Sequence, residues 1–309
     1  MTEKPFKTYV EQLQLLKDRG LQVDDESKAL HILEHHNYYR LSAYRFPFES
    51  TRDQFRDGTR FEHLWGLYCF DRKLRQLVAE ASKKVEISVR ARWAHVLGER
   101  HGPQAYEKLD VFCDLTANQK KRDKAARFHM DNLSSLDREL TRSKEEFITH
   151  YRFEKQILRP PTWVVSEAMT FGLLSRFYDG IARDSDKKAI ARTYGLSVDS
   201  LRSILQRTVY LRNLCAHHSR LWNRKLTVNM ALPNSQPRAI ISSLHPAEPK
   251  RLYNSLVLLG HMVEVIAPGF DWSKRLRCHL DTLNGPSHSA MGFPEDWRQR
   301  SCWKDQSNP

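Results

Sequence analysis

FEHLWGLYCFDRKLRQLVAEASKKVEISVRARWAHVLGER, residues 61–100, repeats its apolar side chains at three- and four-residue steps. Leu64, Leu67, Leu74, Leu77/Val78, Ala81, Val85, Val89 and Trp93 carry the pattern. That period places one face of a long helix against a core over many turns. His101-Gly102-Pro103 stops it.

The flanking segments read the same way. Pro5 to Arg19 has Phe6, Val10, Leu13 and Leu16 on one helical face and ends at Gly20. Asp24-Asp25-Glu26-Ser27 offers an N-cap to a second helix through Ala29, Ile32, Leu33 and His36. It runs into an aromatic-basic box, Asn37 to Phe48, and then a loop through Arg56-Asp57-Gly58. Asn118 to Arg159 is highly charged and predicts two helices, 119–132 and 135–153, broken by Arg159-Pro160-Pro161. Residues 163–181 predict a helix pair or one kinked helix with Gly172 inside, and residues 184–194 a short helix. Ser197 caps the next, with Leu201, Ile204, Leu205, Thr208, Leu211 and Cys215 on one face. Residues 225–249 are irregular and Pro-containing, and 250–266 predict a last helix. Trp297 and Trp303 in the tail are expected to pack back onto the domain. With no strand alternation and no repeat, the reading is one all-α unit. It has an N-terminal helical arm (1–60), a helical core (61–280, with a charged insertion at 118–159) and a packed tail (281–309).

Fifty Lys+Arg against 37 Asp+Glu give a net charge of +13 and a pI near 9.6. A field of that sign attracts polyanions, so RNA, DNA or an anionic surface are the natural partners. No run approaches the roughly 18 apolar residues of a spanning helix, and the first residues, Met1 to Phe6, hold no apolar signal core. The five cysteines are scattered, without a Cys-x-x-Cys pair, which excludes a zinc ribbon or disulfide scaffold and suits a reducing cytoplasm.

Candidate chemistry lies in Tyr210-Leu-Arg-Asn-Leu-Cys-Ala-His-His-Ser-Arg-Leu-Trp-Asn-Arg224. Histidine moves protons near neutral pH. Arginine holds a phosphate through two parallel hydrogen bonds and offsets transition-state charge. Spacing alone does not single out Arg212 and His217, since Arg90 and His95 repeat it in the long helix, and basic residues are common in the last turn of any helix. On a straight helix Arg212 and His217 would stand about 140° apart. The helix must end there, the arginine must wrap round, or a second copy must complete the site at a two-fold interface.

The 14 residues Leu211 to Arg224 resemble the signature of the Abi-like family of bacterial abortive-infection proteins, the AbiD/AbiF type. The likeness extends to Tyr38–Tyr44, Phe70–Arg75, Glu86–Arg90, Pro161–Trp163 with Phe171-Gly172, and Met291–Pro294 with Trp297. The Arg-x4-His spacing is similar to the motif of HEPN ribonucleases. The resemblance implies a HEPN-like helical bundle, a role in phage defence, and a dimer that cuts RNA without metal or other cofactor. It also implies that Asn213 is the polar residue after the arginine. Such a toxin is expected to be restrained by a partner, a small non-coding RNA or a protein, and the basic surface favours RNA.

On this reading His217 is the general base or acid, Arg212 stabilises the phosphorane and Asn213 orients His217 or the phosphate. The product is a 2′,3′-cyclic phosphate. His218, Glu86 and Arg90 are supporting candidates; Glu86 and Arg90 also read as a plain i,i+4 ion pair. Arg220 and Arg224 are candidates for flanking phosphates, and Trp222 either stacks a base or anchors packing. Tyr39, Arg40 and Arg45 suit single-stranded RNA or packing of the arm on the long helix. Lys120, Lys121 and Arg122 are a solvated helix face or an RNA dock. His31 and His35 have metal-ligand spacing but draw little weight without a third partner, so no metal is expected. The competing function is a non-catalytic RNA-binding or sensor protein on the same scaffold.

Overall fold

Helix α4 (Phe61–His101) is the spine of the molecule in the computed structural model. Its 41 residues extend about 60 Å at 1.5 Å per residue. The whole apolar stripe from Leu64 to Trp93 is buried. Each of its Leu and Val side chains contributes about 1.5–3 kcal/mol on burial. Packing therefore holds a helix whose later turns contain the β-branched Val85, Ile87 and Val89. The structure describes residues 5–234 and 237–304; Met1–Lys4 and the last five residues of the tail lie outside them.

Before α4 come α1 (Tyr9–Asp18), α2 (Glu26–His35) and α3 (Tyr38–Ser42). A Thr8–Glu11 capping box sets the start of α1, four residues after Pro5. Phe6 therefore lies ahead of the helix and Val10 in its first turn. Both are exposed, contrary to the sequence reading, and only Leu13 and Leu16 reach the core. Asp25 caps α2 by accepting from the Lys28 amide. The loop before α4 holds a hairpin that the sequence pattern does not show, β1 (Glu49–Thr51) and β2 (Gln54–Phe55). Five residues are too few to display a period of two.

After α4 come α5 (Leu109–Phe112), α6 (Gln119–Arg142) and α7 (Glu146–Thr149). The first helix expected in the charged segment does not stop at Asn132. Leu133, Leu136 and Leu140 continue its buried face, and Ser135 bonds back to the Asp131 carbonyl instead of breaking the helix. Then come α8 (Thr162–Ala168) and α9 (Phe171–Gly180), a true pair separated by the Thr170 cap, with Gly172 inside α9. They lead to α10 (Asp184–Arg192) and α11 (Val198–Ala216). The six residues on the expected apolar face of α11 are all buried. The short α12 (Arg238–Ile241), α13 (Tyr253–Ile266) and α14 (Trp272–Asp281) complete the helices. The last lies beyond the helices that periodicity predicts; its Trp272 indole donates to the Leu77 carbonyl of α4 at 2.8 Å. Trp297 and Trp303 are buried as expected. Apart from the hairpin and an isolated bridge between Gln22 and Arg60, the fold is all-α among the described residues. One core cluster runs from Leu13 to Trp303.

Candidate active site

α11 runs antiparallel to α4. Tyr194, just before α11, pairs its hydroxyl with Ser88 of α4 at 2.9 Å. Beyond the far end of α11, the amides of Leu221 and Trp222 bond Asp71, near the start of α4. The helix ends in a Schellman motif. The His218 amide bonds the Cys215 carbonyl at 3.1 Å, and the Ser219 amide bonds that of Leu214 at 2.8 Å. His218 occupies the left-handed position, at φ 54°, which a glycine would fill without strain. The helix ends at this point: His217 is its C-cap, with its amide still bonded to the Asn213 carbonyl at 3.0 Å.

Arg212, Asn213, His217 and His218 are all exposed at this terminus. The Arg212 guanidinium reaches the Asn213 side-chain oxygen at 3.4 Å. Cys215 is different: burial pushes its thiol up to about 12, so it is not a nucleophile at neutral pH.

A buried network fixes the turn beyond His218. Asp71 accepts from the Trp222 amide at 2.7 Å, the Leu221 amide at 3.2 Å and the Tyr44 hydroxyl at 2.6 Å. Arg75 pairs with Asp71 and also donates to the Tyr44 hydroxyl at 3.1 Å. Burial pushes the Asp71 carboxyl above its usual range, while Arg75, Tyr44 and the two amides pull the other way. The aromatic-basic box closes over the same turn. Arg40 donates to the His218 carbonyl at 2.8 Å, and Arg220 donates to the Ala43 carbonyl. Sequence reasoning missed Asp71 and Tyr44 as anchors. A signal existed: Asp71 falls four residues after Leu67 and three before Leu74, on the apolar stripe, with Arg75 one turn on.

The other candidates divide. Trp222 is 1% exposed, so its faces are packed and it does not present a stacking surface for a base. Arg45 is held by Glu49 at 3.0 Å and Asp53 at 2.6 Å, so its charge is already matched within the arm. Arg220 is half-buried, and burial lowers its affinity for a proton. Arg224 lies beside it, on the Arg220 carbonyl at 3.4 Å. Tyr39 is exposed; Lys120 and Lys121 are exposed in the first turn of α6, and Arg122 there is tied to the Leu115 carbonyl.

Glu86 and Arg90 pair at 2.8 Å, and Arg90 also donates to the Met169 carbonyl at 2.9 Å, clamping α4 to the α8–α9 junction. Glu86 lies 15 residues beyond Asp71, about 22 Å along the helix axis, so within one chain the pair does not reach the 217–222 turn. In the rival Arg90–His95 match, Arg90 is therefore consumed by packing, and His95 lines an open groove of about 540 Å³ with Trp163 and Glu167.

The box, the spine and this turn lie within residues 31–223, which match the model of the Abi-like protein family. The chain belongs to that family. No curated protein and no solved structure matches it. Membership in the Abi-like family points to abortive-infection defence. The matched span ends at Asn223 and so contains the anchored turn, while α13, α14 and the tail of this Abi-like protein lie beyond it. No helix among the described residues is long and apolar enough to cross a membrane.

Proposed function

We propose that this Abi-like protein is a metal-independent endoribonuclease of abortive infection, with its cleavage centre at the end of α11. One observation carries the reading: Arg212, Asn213, His217 and His218 are exposed, while the turn beyond them is clamped by the buried Asp71–Tyr44–Arg75 network. Active sites combine these two properties, reactive groups open to substrate on a backbone that does not yield.

In the reaction, His217 removes the proton of a ribose 2′-hydroxyl, which attacks the adjacent phosphate. The P–O5′ bond breaks, and the leaving oxygen takes a proton to become a 5′-hydroxyl. The other fragment retains a 2′,3′-cyclic phosphate. Arg212 meets the charge that builds on the non-bridging oxygens, and Asn213 positions the guanidinium. A second copy placed across a two-fold axis would bring another Arg212–His217 set to the same site, and a small RNA masking the +13 surface would restrain the toxin.

The test is incubation of purified protein with total RNA in chelator, with end-group analysis of the fragments. Wild type is expected to leave 2′,3′-cyclic phosphates, and Arg212→Ala and His217→Ala are expected to cut at least about a hundredfold more slowly. Normal cutting by His217→Ala, or an absolute need for Mg²⁺, would overturn the assignment. RNA retained but never cut would instead favour the binding-only function.

A further inference from the structure

We infer that the exposed face of α2 carries a binding site for one divalent transition-metal ion, made by His31, Glu34 and His35. Each residue offers one ligand atom, and these atoms lie within 4.8 Å of one another. Helix geometry explains the convergence: about His31, Glu34 is rotated about 60° one way and His35 about 40° the other. The two imidazole rings already meet edge to face, with centroids 4.6 Å apart. Tetrahedral zinc with bonds of about 2.0–2.1 Å holds its ligands roughly 3.4 Å apart. A small rotation about exposed side-chain bonds covers the difference.

The chemistry selects the ion. Two imidazoles and one carboxylate suit Zn²⁺, Ni²⁺ or Cu²⁺, and suit Mg²⁺ or Ca²⁺ poorly. The site occupies the last turn of α2, where the negative end of the helix dipole favours a cation. None of the three side chains makes an ion pair among the described residues, so no salt bridge opposes binding. His36 is not part of the site. Its Nδ1 lies 3.2 Å from the Ile32 carbonyl and its ring packs on Trp65 and Tyr68. Among the described residues, no other trio of His, Cys, Asp and Glu converges in this way. Three protein ligands leave at least one position for water. A bound ion would lock the last turn of α2, two residues before α3 begins.

The experiment is titration of the chelator-stripped full-length protein with Co²⁺, followed by its visible absorption, and then displacement by Zn²⁺. One equivalent is expected to bind, and His31→Ala or His35→Ala each to weaken it at least about tenfold, equal to about 1.4 kcal/mol. Glu34→Gln is expected to weaken binding less and to alter the Co²⁺ spectrum. The variants lie on an exposed surface, and their melting curves are expected to match that of wild type. His150→Ala, which breaks another exposed i,i+4 pair with Glu154, is expected to change nothing. Wild-type affinity in the His31→Ala/His35→Ala double variant would overturn the proposal, as would a wild-type Kd above about 1 mM. The readout is metal uptake and is independent of RNA cleavage.

Discussion

Asp71 Oδ1 lies 2.7 Å from the amide nitrogen of Trp222, a residue 151 positions away in the chain. This contact joins the spine to the turn that comes after His217. The carboxylate faces only donors: two amides, the Tyr44 hydroxyl and the Arg75 guanidinium. Asp71→Ala leaves the buried Arg75 charge without a counter-ion and both amides without an acceptor, and is expected to cost about 3–5 kcal/mol in a denaturant titration. Tyr44→Phe removes one partner and is expected to cost about 1–3 kcal/mol. A loss below that of Tyr44→Phe for Asp71→Ala would show that the network does not anchor the turn.

His218 separates strain from chemistry. Its left-handed backbone at φ 54° favours glycine. His218→Gly is expected to raise stability by about 1 kcal/mol, while His218→Ala keeps the strain and gives no gain. If His218 only supports the reaction, both variants lose far less RNA cleavage than His217→Ala. Equal loss in all three would make His218 a second proton-transfer group.

The spine, the box–helix order and the buried face of α11 were legible because a 3.6-residue period survives any tertiary arrangement. The end of α11 was legible only as a geometrical puzzle. Neither Ala216 nor His218 is a helix stop by composition, and the chain just beyond the Schellman turn is held by Asp71 at Leu221 and Trp222. The same limit governed Arg45: its interleaving with aromatics suits either RNA or packing of the arm, and only the fold brings Glu49 and Asp53 onto it. At Trp222 the sequence left a stacking platform and a packing anchor both open, and the buried indole is the anchor.

That anchor makes its own prediction. Trp222→Ala is expected to cost about 3–5 kcal/mol of stability. Trp222→Phe, which keeps most of the volume, is expected to cost less and to leave RNA affinity unchanged. Weakened RNA binding by a normally stable Trp222→Phe protein would restore the stacking role.

Three buried histidines weaken the fold towards acid pH. His129, His261 and His279 all have proton affinities lowered below the usual 6.5 by burial. Their folded values lie below the unfolded ones, so the unfolded chain takes up protons first as pH falls. Their contribution is complete above about 6.5 and is lost as the pH falls through the folded values. His129 stacks on Phe112 at 4.5 Å, and an apolar side chain fills the same place. Urea titrations from pH 7 to 5 are expected to show wild type losing stability and His129→Leu losing less. Parallel curves would exclude His129 from the effect.

Charge placement predicts how RNA binds. Lys120 and Lys121 are exposed at the start of α6, unlike Arg45, whose charge is already matched. Each lysine that meets a phosphate releases counterions and adds about 0.7 to the slope of log affinity against log salt for single-stranded RNA. Lys120→Ala/Lys121→Ala is therefore expected to weaken binding and flatten that slope by up to about 1.4. Arg45→Ala is expected to leave the slope unchanged while loosening the turn at Asp53. The converse pattern would move the RNA path off α6 and onto the N-terminal box, where Arg40 reaches the His218 carbonyl and Tyr39 is exposed.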